Sequence, residues 1–284
     1  MGAMRKFNVA FWAPALLLAG LVFAAVFAGV LGPHDPGAQS LIRRFTAPSF
    51  VTGGGEYLLG TDHLGRDLLT RILFGLRVSL LVGFFAVAIS VVIGYPLGLI
   101  AGYLGGRVEA VIMRLVDIQL SVPTILVALA ALAIMGAGLA NVILVIGIVG
   151  WAGYARLARG AVLAERNKEY VMAAGALGAR SGGVVWRHLL PNTLSIVLVQ
   201  ISVHMPRVII LEATLSFLGL GVSSGTASLG LMVSQGYEFL YSGVWWASIL
   251  PGVALMLLIL AVNLLSDWLR DYLDPRGTAF MKSG

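Results

Sequence analysis

No charged side chain stands between Arg77 and Arg107. A helix of roughly 20 apolar residues crosses the hydrocarbon core of a bilayer, and the run from Val78 to Tyr103 is long enough to do so. Five more runs meet the same test. They extend from about Phe11 to Leu31, Ile118 to Met135, Asn141 to Ala158, Leu194 to Leu218 and Trp246 to Trp268. Hydrophobic residues make up 59% of the chain and charged residues 11%, against about 25% charged in soluble domains. Water cannot cover that much apolar surface, so the pattern predicts an all-α membrane protein with six transmembrane helices. The first run exceeds the roughly 7–15 residues of a signal-peptide core and reads as a retained anchor.

The charges that remain sort by loop. With the first span entering from the inside, thirteen lysines and arginines fall in inner segments and five in outer ones. Basic residues favour the cytoplasmic side, so both termini are expected in the cytoplasm. A net charge of +6 could suggest nucleic acid, but cations confined to loops between apolar runs are topology determinants. With no cysteine, the chain has no disulfide and no thiolate metal ligand. His34, His63, His188 and His204 show no i, i+4 pairing or adjoining carboxylate cluster, so no metal site is expected from this chain alone.

Three segments are expected. Residues 1–76 hold the anchor and an outer segment, residues 77–270 the main transmembrane domain, and residues 271–284 a cytoplasmic tail. In the outer segment, "GTDHLGRDLLTRILFGLRVSL" (60–80) reads as an amphipathic helix capped by Asp62, lying along the interface and leading into the second span. Gly94, Gly98 and Gly102, spaced by four, allow another helix to approach closely. Pro96 and Pro123 are expected to kink their helices.

Two places carry polar chemistry. The fifth span holds Gln200, His204, Arg207 and Glu212. A charge near mid-membrane costs at least ~2.5–3.5 kcal/mol on insertion scales, so Arg207 should face protein or water. Positions 200, 204 and 207 share a helical face. They can line a pathway in which Arg207 meets a peptide carboxylate or backbone carbonyls. Equally, Arg207 can pair structurally with Glu212 or with another chain. The second place is "EYVMAAGALGARSGGVVWRHLLPN" (169–192), a small-residue helix expected on the cytoplasmic side. An Ala/Gly face admits a partner backbone, Gly178 to Gly183 let the chain turn, and Pro191 resets it before the fifth span. From spacing alone, a coupling element and an ordinary interfacial loop helix are equally open.

That segment resembles the signature of bacterial ABC importer permeases: Glu-Ala-Ala, three residues, Gly, nine residues, Ile, one residue, Leu-Pro. Ala173 and Ala174 match the alanines, Gly178 the glycine, and Leu190-Pro191 the end. Met172 stands where Glu is usual and His188 where Ile is usual, so the polar contact that Glu makes to the ATPase is lost. The ending "RHLLPN", with "GTDHLGRD" (60–67), "RVSLLVG" (77–83), "AGYLGGRVEAVIMRLVDI" (101–118), "EATLSFLGLG" (212–221) and "RDYLDPR" (270–276), is similar to the peptide and nickel branch of that family. In "TASLGLM" (226–232) the chain lacks the Trp that relatives often carry before the Gly.

The resemblance implies a type I importer permease bundle in a bacterial inner membrane, taking dipeptides, oligopeptides or nickel. Its implied partners are a second homologous permease, two cytoplasmic ATP-binding subunits, an extracytoplasmic solute-binding protein and membrane lipid. ATP and Mg would sit at the ATPase subunits, and this chain would bind no cofactor. The residues agree with that division of labour. No lysine follows a glycine, so the chain has no G-x-x-x-x-G-K-[ST] phosphate loop. A carrier driven by an ion gradient would need ionisable groups at mid-membrane, and only the fifth-span stripe offers any. An intramembrane enzyme would need paired aspartates or H-E-x-x-H, and neither is present, so no catalytic residue is expected.

Overall fold

A computed structural model describes residues 9–176, 181–223 and 225–273. Helices make up these residues, apart from loops and one isolated antiparallel bridge between Thr61 and Asp67. In chain order they are α1 (Val9–Val26), α2 (Leu68–Leu104), α3 (Gly106–Ser121), α4 (Thr124–Met135), α5 (Leu139–Glu165), α6 (Glu169–Ala176), α7 (Leu190–Phe217), α8 (Leu229–Tyr237) and α9 (Trp246–Leu273).

The spine is α2, with 37 residues, which at 1.5 Å per residue is about 55 Å long. It starts at Leu68 because Asp67 caps it: the carboxylate accepts the Thr70 backbone N–H at 3.0 Å. The helix continues through Pro96 and ends at Gly105, whose φ of +65° suits glycine. Asp62 does not cap, contrary to the expectation from sequence. Its carboxylate accepts from Leu64 and Arg66 backbone N–H groups and from Arg66 Nε at 2.6 Å, closing a tight loop. Nor does the start of α2 lie flat at an interface, since Leu68, Ile72, Leu73 and Leu76 are all buried in the bundle. Replacing Asp67 by Ala should cost about 1 kcal/mol by exposing the first-turn N–H groups. A thermal melt of the purified protein in detergent measures this.

The glycine row packs as expected, and the partner is α5. A Cβ on Gly94 would lie 2.2 Å from Trp151 O, one on Gly98 2.4 Å from Ala155 O, and one on Gly102 2.7 Å from Val162 Cβ. Backbone thus rests on backbone along three turns. Ser90 Oγ adds a 2.8 Å hydrogen bond to Gly147 O on the same partner helix.

Four of the expected spans are single long apolar helical runs: α2, α5, α9, and residues 182–217 ending in α7. The third is different. Pro123 has extended backbone and caps α4, and α3 and α4 meet at a bend of 87°. Proline provides no N–H and disfavours helix in the residue before it, so the run breaks where a kink was expected. The first expected span is the shorter α1, followed by one turn at Ala28–Leu31. By length and composition the described residues hold four spanning runs, or five with the bent pair taken as one span; α1 is a shorter apolar helix, so the expected count of six is not reproduced in full.

Two cores hold the bundle. One joins α2, α4, α5 and α7 around Val82, Leu132, Val145 and Val197. The other joins α1, α2, α7, α8 and α9 around Leu68, Ile209, Leu229 and Leu258.

Candidate functional site

Between α4, α5 and α7 the bundle leaves a cavity of about 410 Å³. Its α7 wall is Gln200, His204, Arg207, Val208 and Leu211, one helical face as the sequence spacing requires. Its α5 wall is Ile146, Val149, Gly150 and Gly153, and Leu120, Thr124 and Ile125 at the α3–α4 break close a third side. The two glycines keep the space open. A Cβ on Gly153 would meet no heavy atom within 4 Å, whereas one on Gly150 would strike Ser90 Oγ at 2.3 Å and His204 Cε1 at 3.1 Å.

The polar side chains of this wall are unengaged. Gln200, His204 and Arg207 make no side-chain hydrogen bond or ion pair among the described residues. His204 packs edge-on against Tyr154 at 5.3 Å between ring centroids. Its Nδ1 and the Tyr154 hydroxyl are buried without a hydrogen-bond partner. A buried polar atom left unpaired costs about 1–3 kcal/mol, and a site that must later bind a solute is one place where that cost is tolerated.

Glu212 stands apart from the cavity. It is fully buried, and its carboxylate accepts from Ser79 Oγ at 3.0 Å, Ser216 Oγ at 2.8 Å and Ser228 Oγ at 2.9 Å. It therefore neither lines the cavity with Arg207 nor neutralises it. It ties α2, α7 and the turn before α8 together. Nothing local in the sequence marks this cage, because Ser79 and Ser228 lie far from Glu212 along the chain.

At the far end of the same helices lies the small-residue element. Its α6 is helical as expected. Met172 and Ala173 are exposed, Ala174 is half-buried and Val171 is buried. Gly178 lies outside the described residues. A turn of helix at Ser181–Val184 and a π-turn at Val185–Leu189 run directly into α7. Pro191 is the second residue of α7, but the helical run is continuous through it from residue 182, and the π-turn at Val185–Leu189 just before it is where the helix accommodates the ring and the missing N–H. It does not reset the chain as the sequence suggested. His188 is half-buried, Leu190 half-buried and Pro191 exposed. Leu189, fully buried, is the anchor.

Four contacts that the sequence did not reveal fix this element to the bundle. Glu165, at the end of α5, accepts from the Tyr170 hydroxyl and pairs with Lys168 Nζ at 2.7 Å. Burial, and then the Glu165 carboxylate, push the Tyr170 phenol up to about 12, so it remains a donor at neutral pH. At the start of α7, the Tyr95 hydroxyl of α2 is 3.0 Å from Leu190 O and 2.8 Å from Thr193 Oγ1. These contacts link α6 to the end of α5 at Glu165 and the start of α7 to α2 at Tyr95. A lone tyrosine in an apolar run was the available hint.

Long apolar helices around a largely apolar cavity with a polar stripe on its α7 wall, and a short helix between two of them, fit a membrane transport permease. The chain belongs to the family of binding-protein-dependent transport system inner membrane components, whose model matches residues 94–278. It is a multi-pass inner-membrane permease of that family. It is 42% identical over 257 residues to the di/tripeptide transport system permease protein DppC of Pseudomonas aeruginosa, covering 90% of this chain and 84% of that one. To the dipeptide transport system permease protein DppC of Haemophilus influenzae it is 38% identical, covering 91% of this chain and 90% of the relative. Among solved structures, the inward-facing MetNI methionine ABC transporter matches with a TM-score of 0.55 at 22% identity. That match covers 72% of this chain and 96% of the other, and it supports the fold.

Proposed function

We propose that this chain is one of two permease subunits in an ATP-driven importer of short peptides. The observation that carries the cargo is the near full-length similarity to permeases named for dipeptide and di/tripeptide transport. The cavity supports it from the physical side, being sized for a small solute and walled by unengaged polar groups. Arg207 is left exposed on a membrane-spanning helix. Exposure to lipid would be costly, so a second homologous permease facing it would complete the pathway.

Two cytoplasmic ATP-binding subunits supply the energy, with ATP and Mg held there, and an extracytoplasmic solute-binding protein delivers cargo. The excess of lysine and arginine in alternate loops supports placing both termini and residues 169–192 in the cytoplasm. An ATPase pair can then grip α6 at the exposed Met172 and Ala173. Motion passes through Glu165 and Tyr95 to the walls of the cavity.

The test is uptake of labelled dialanine by vesicles holding the chain with its companion subunits. ATP-dependent uptake is expected; transport of nickel and not peptide would overturn the cargo. A second test addresses the coupling element. Replacing Gly178 by Trp should abolish ATP-dependent uptake while the protein still inserts and reaches normal levels in the membrane. Normal uptake by that variant would remove the coupling role.

A further inference from the structure

Among the described residues the cavity has one charged wall residue, and it is a cation. Arg207 lines it without an ion pair among the described residues. Glu212, five residues on, is sealed by three serine hydroxyls and cannot reach it. A second feature favours the same sign. Thr124 and Ile125, the first residues of α4, line the cavity. Their helix has 12 residues, and its cap, Pro123, provides no side-chain hydrogen bond to the first turn. The first N–H groups of a helix and its dipole attract anions, and broken helices in transporters present such ends to anionic groups.

We propose that this chain supplies a carboxylate-selective subsite, in which a passing solute's carboxylate sits between the Arg207 guanidinium and the uncapped first turn of α4. Gln200 offers an amide to the same group or to a neighbouring carbonyl. No acidic side chain among the described residues lines this cavity, so a peptide's ammonium end must be met by a different wall. The proposal rests on the reading of the cavity as the pathway.

The chain has no cysteine, which permits a direct test in the assembled importer in membrane vesicles. Gly153→Cys puts one thiol into the open part of the cavity, and Ile42→Cys puts a reference thiol on the outer loop, where Ile42 is 98% exposed. Each is labelled with sulfonatoethyl or trimethylammonioethyl methanethiosulfonate, and the modification of this chain is followed by mass. Relative to the reference, the cavity thiol should favour the anionic reagent by about tenfold, the scale of one unscreened opposite charge nearby. Arg207→Gln should remove most of that preference and Arg207→Lys should keep it. Equal preference with and without Arg207 would overturn the subsite and leave the pathway standing. No labelling of the cavity thiol by either reagent would overturn the pathway reading, and the subsite with it.

Discussion

Leucine in place of Gly153 should stop uptake and leave the fold intact, whereas leucine in place of Gly98 should break the packing of the bundle itself. Both glycines lie on the α2–α5 pair of helices; the sequence marks Gly98 as one of a row that admits a neighbouring helix and does not mark Gly153. Their surroundings differ. A Cβ on Gly153 projects into open cavity, while one on Gly98 would lie 2.4 Å from Ala155 O and 2.6 Å from Ala158 Cβ. In lipid there is little hydrophobic force to hold helices together, so close packing carries the association. Forcing α2 off α5 costs at least about 1–3 kcal/mol, the usual penalty of an overfilled core, and more where backbone must shift. Gly98→Leu should therefore melt many degrees lower in detergent and accumulate poorly. Gly153→Leu should melt like the parent and lose more than about tenfold in uptake, because a narrowed pore lining limits passage. Normal uptake by Gly153→Leu would show that solute travels elsewhere.

That contrast marks how far the sequence could be read. Apolar length gave the spans, and the four-residue glycine spacing gave a close helix contact, both because they are local properties of one helix. The partner of the glycine row could not be read, nor could the distinction between a glycine that admits a helix and one that leaves a void. Each depends on what stands across from it. Polar residues followed the same rule. Gln200, His204 and Arg207 were legible as a stripe because they are four and three residues apart on one helix. Glu212 belongs to the same span and was grouped with them, yet two of the serines that claim it are on α2 and before α8. Pro123 was legible as a disturbance but not as a bend of 87°, since a proline's effect depends on whether the following helix finds other packing. Here α4 does, with Ala128 and Leu132 fully buried in the core around α5. Asp62 and Asp67 are both suitable caps by residue type. The structure decides because the Asp62 carboxylate is already committed to Leu64 and Arg66.

Glu212→Ala should be the most destabilising single change on α7, and Glu212→Gln should be mild. Glu212 Oε1 accepts from both Ser216 and Ser228, and Oε2 accepts from Ser79. Alanine removes every acceptor at once and leaves a buried gap in the centre of the bundle. A buried large-to-Ala change costs about 2–5 kcal/mol, and each stranded hydroxyl adds toward about 1 kcal/mol where it cannot turn to its own helix. Glutamine keeps a carboxamide oxygen for Ser216 and Ser228. The amide can then donate to Ser79, whose hydroxyl is free to rotate toward the carbonyl one turn earlier, at Gly75. The turn before α8 distinguishes this cage from a simple core contact. Ser228 is the residue just before α8, and Gly230 presses on Ala213, so that a Cβ there would lie 2.1 Å from Ala213 O. Losing the acceptor should loosen the segment before α8 ahead of the rest of the bundle. Hydrogen exchange should therefore rise first at residues 225–232 in Glu212→Ala, while α5 stays protected. A uniform rise across the helices, or equal melting of the Ala and Gln variants, would show that the carboxylate does not hold that turn in place.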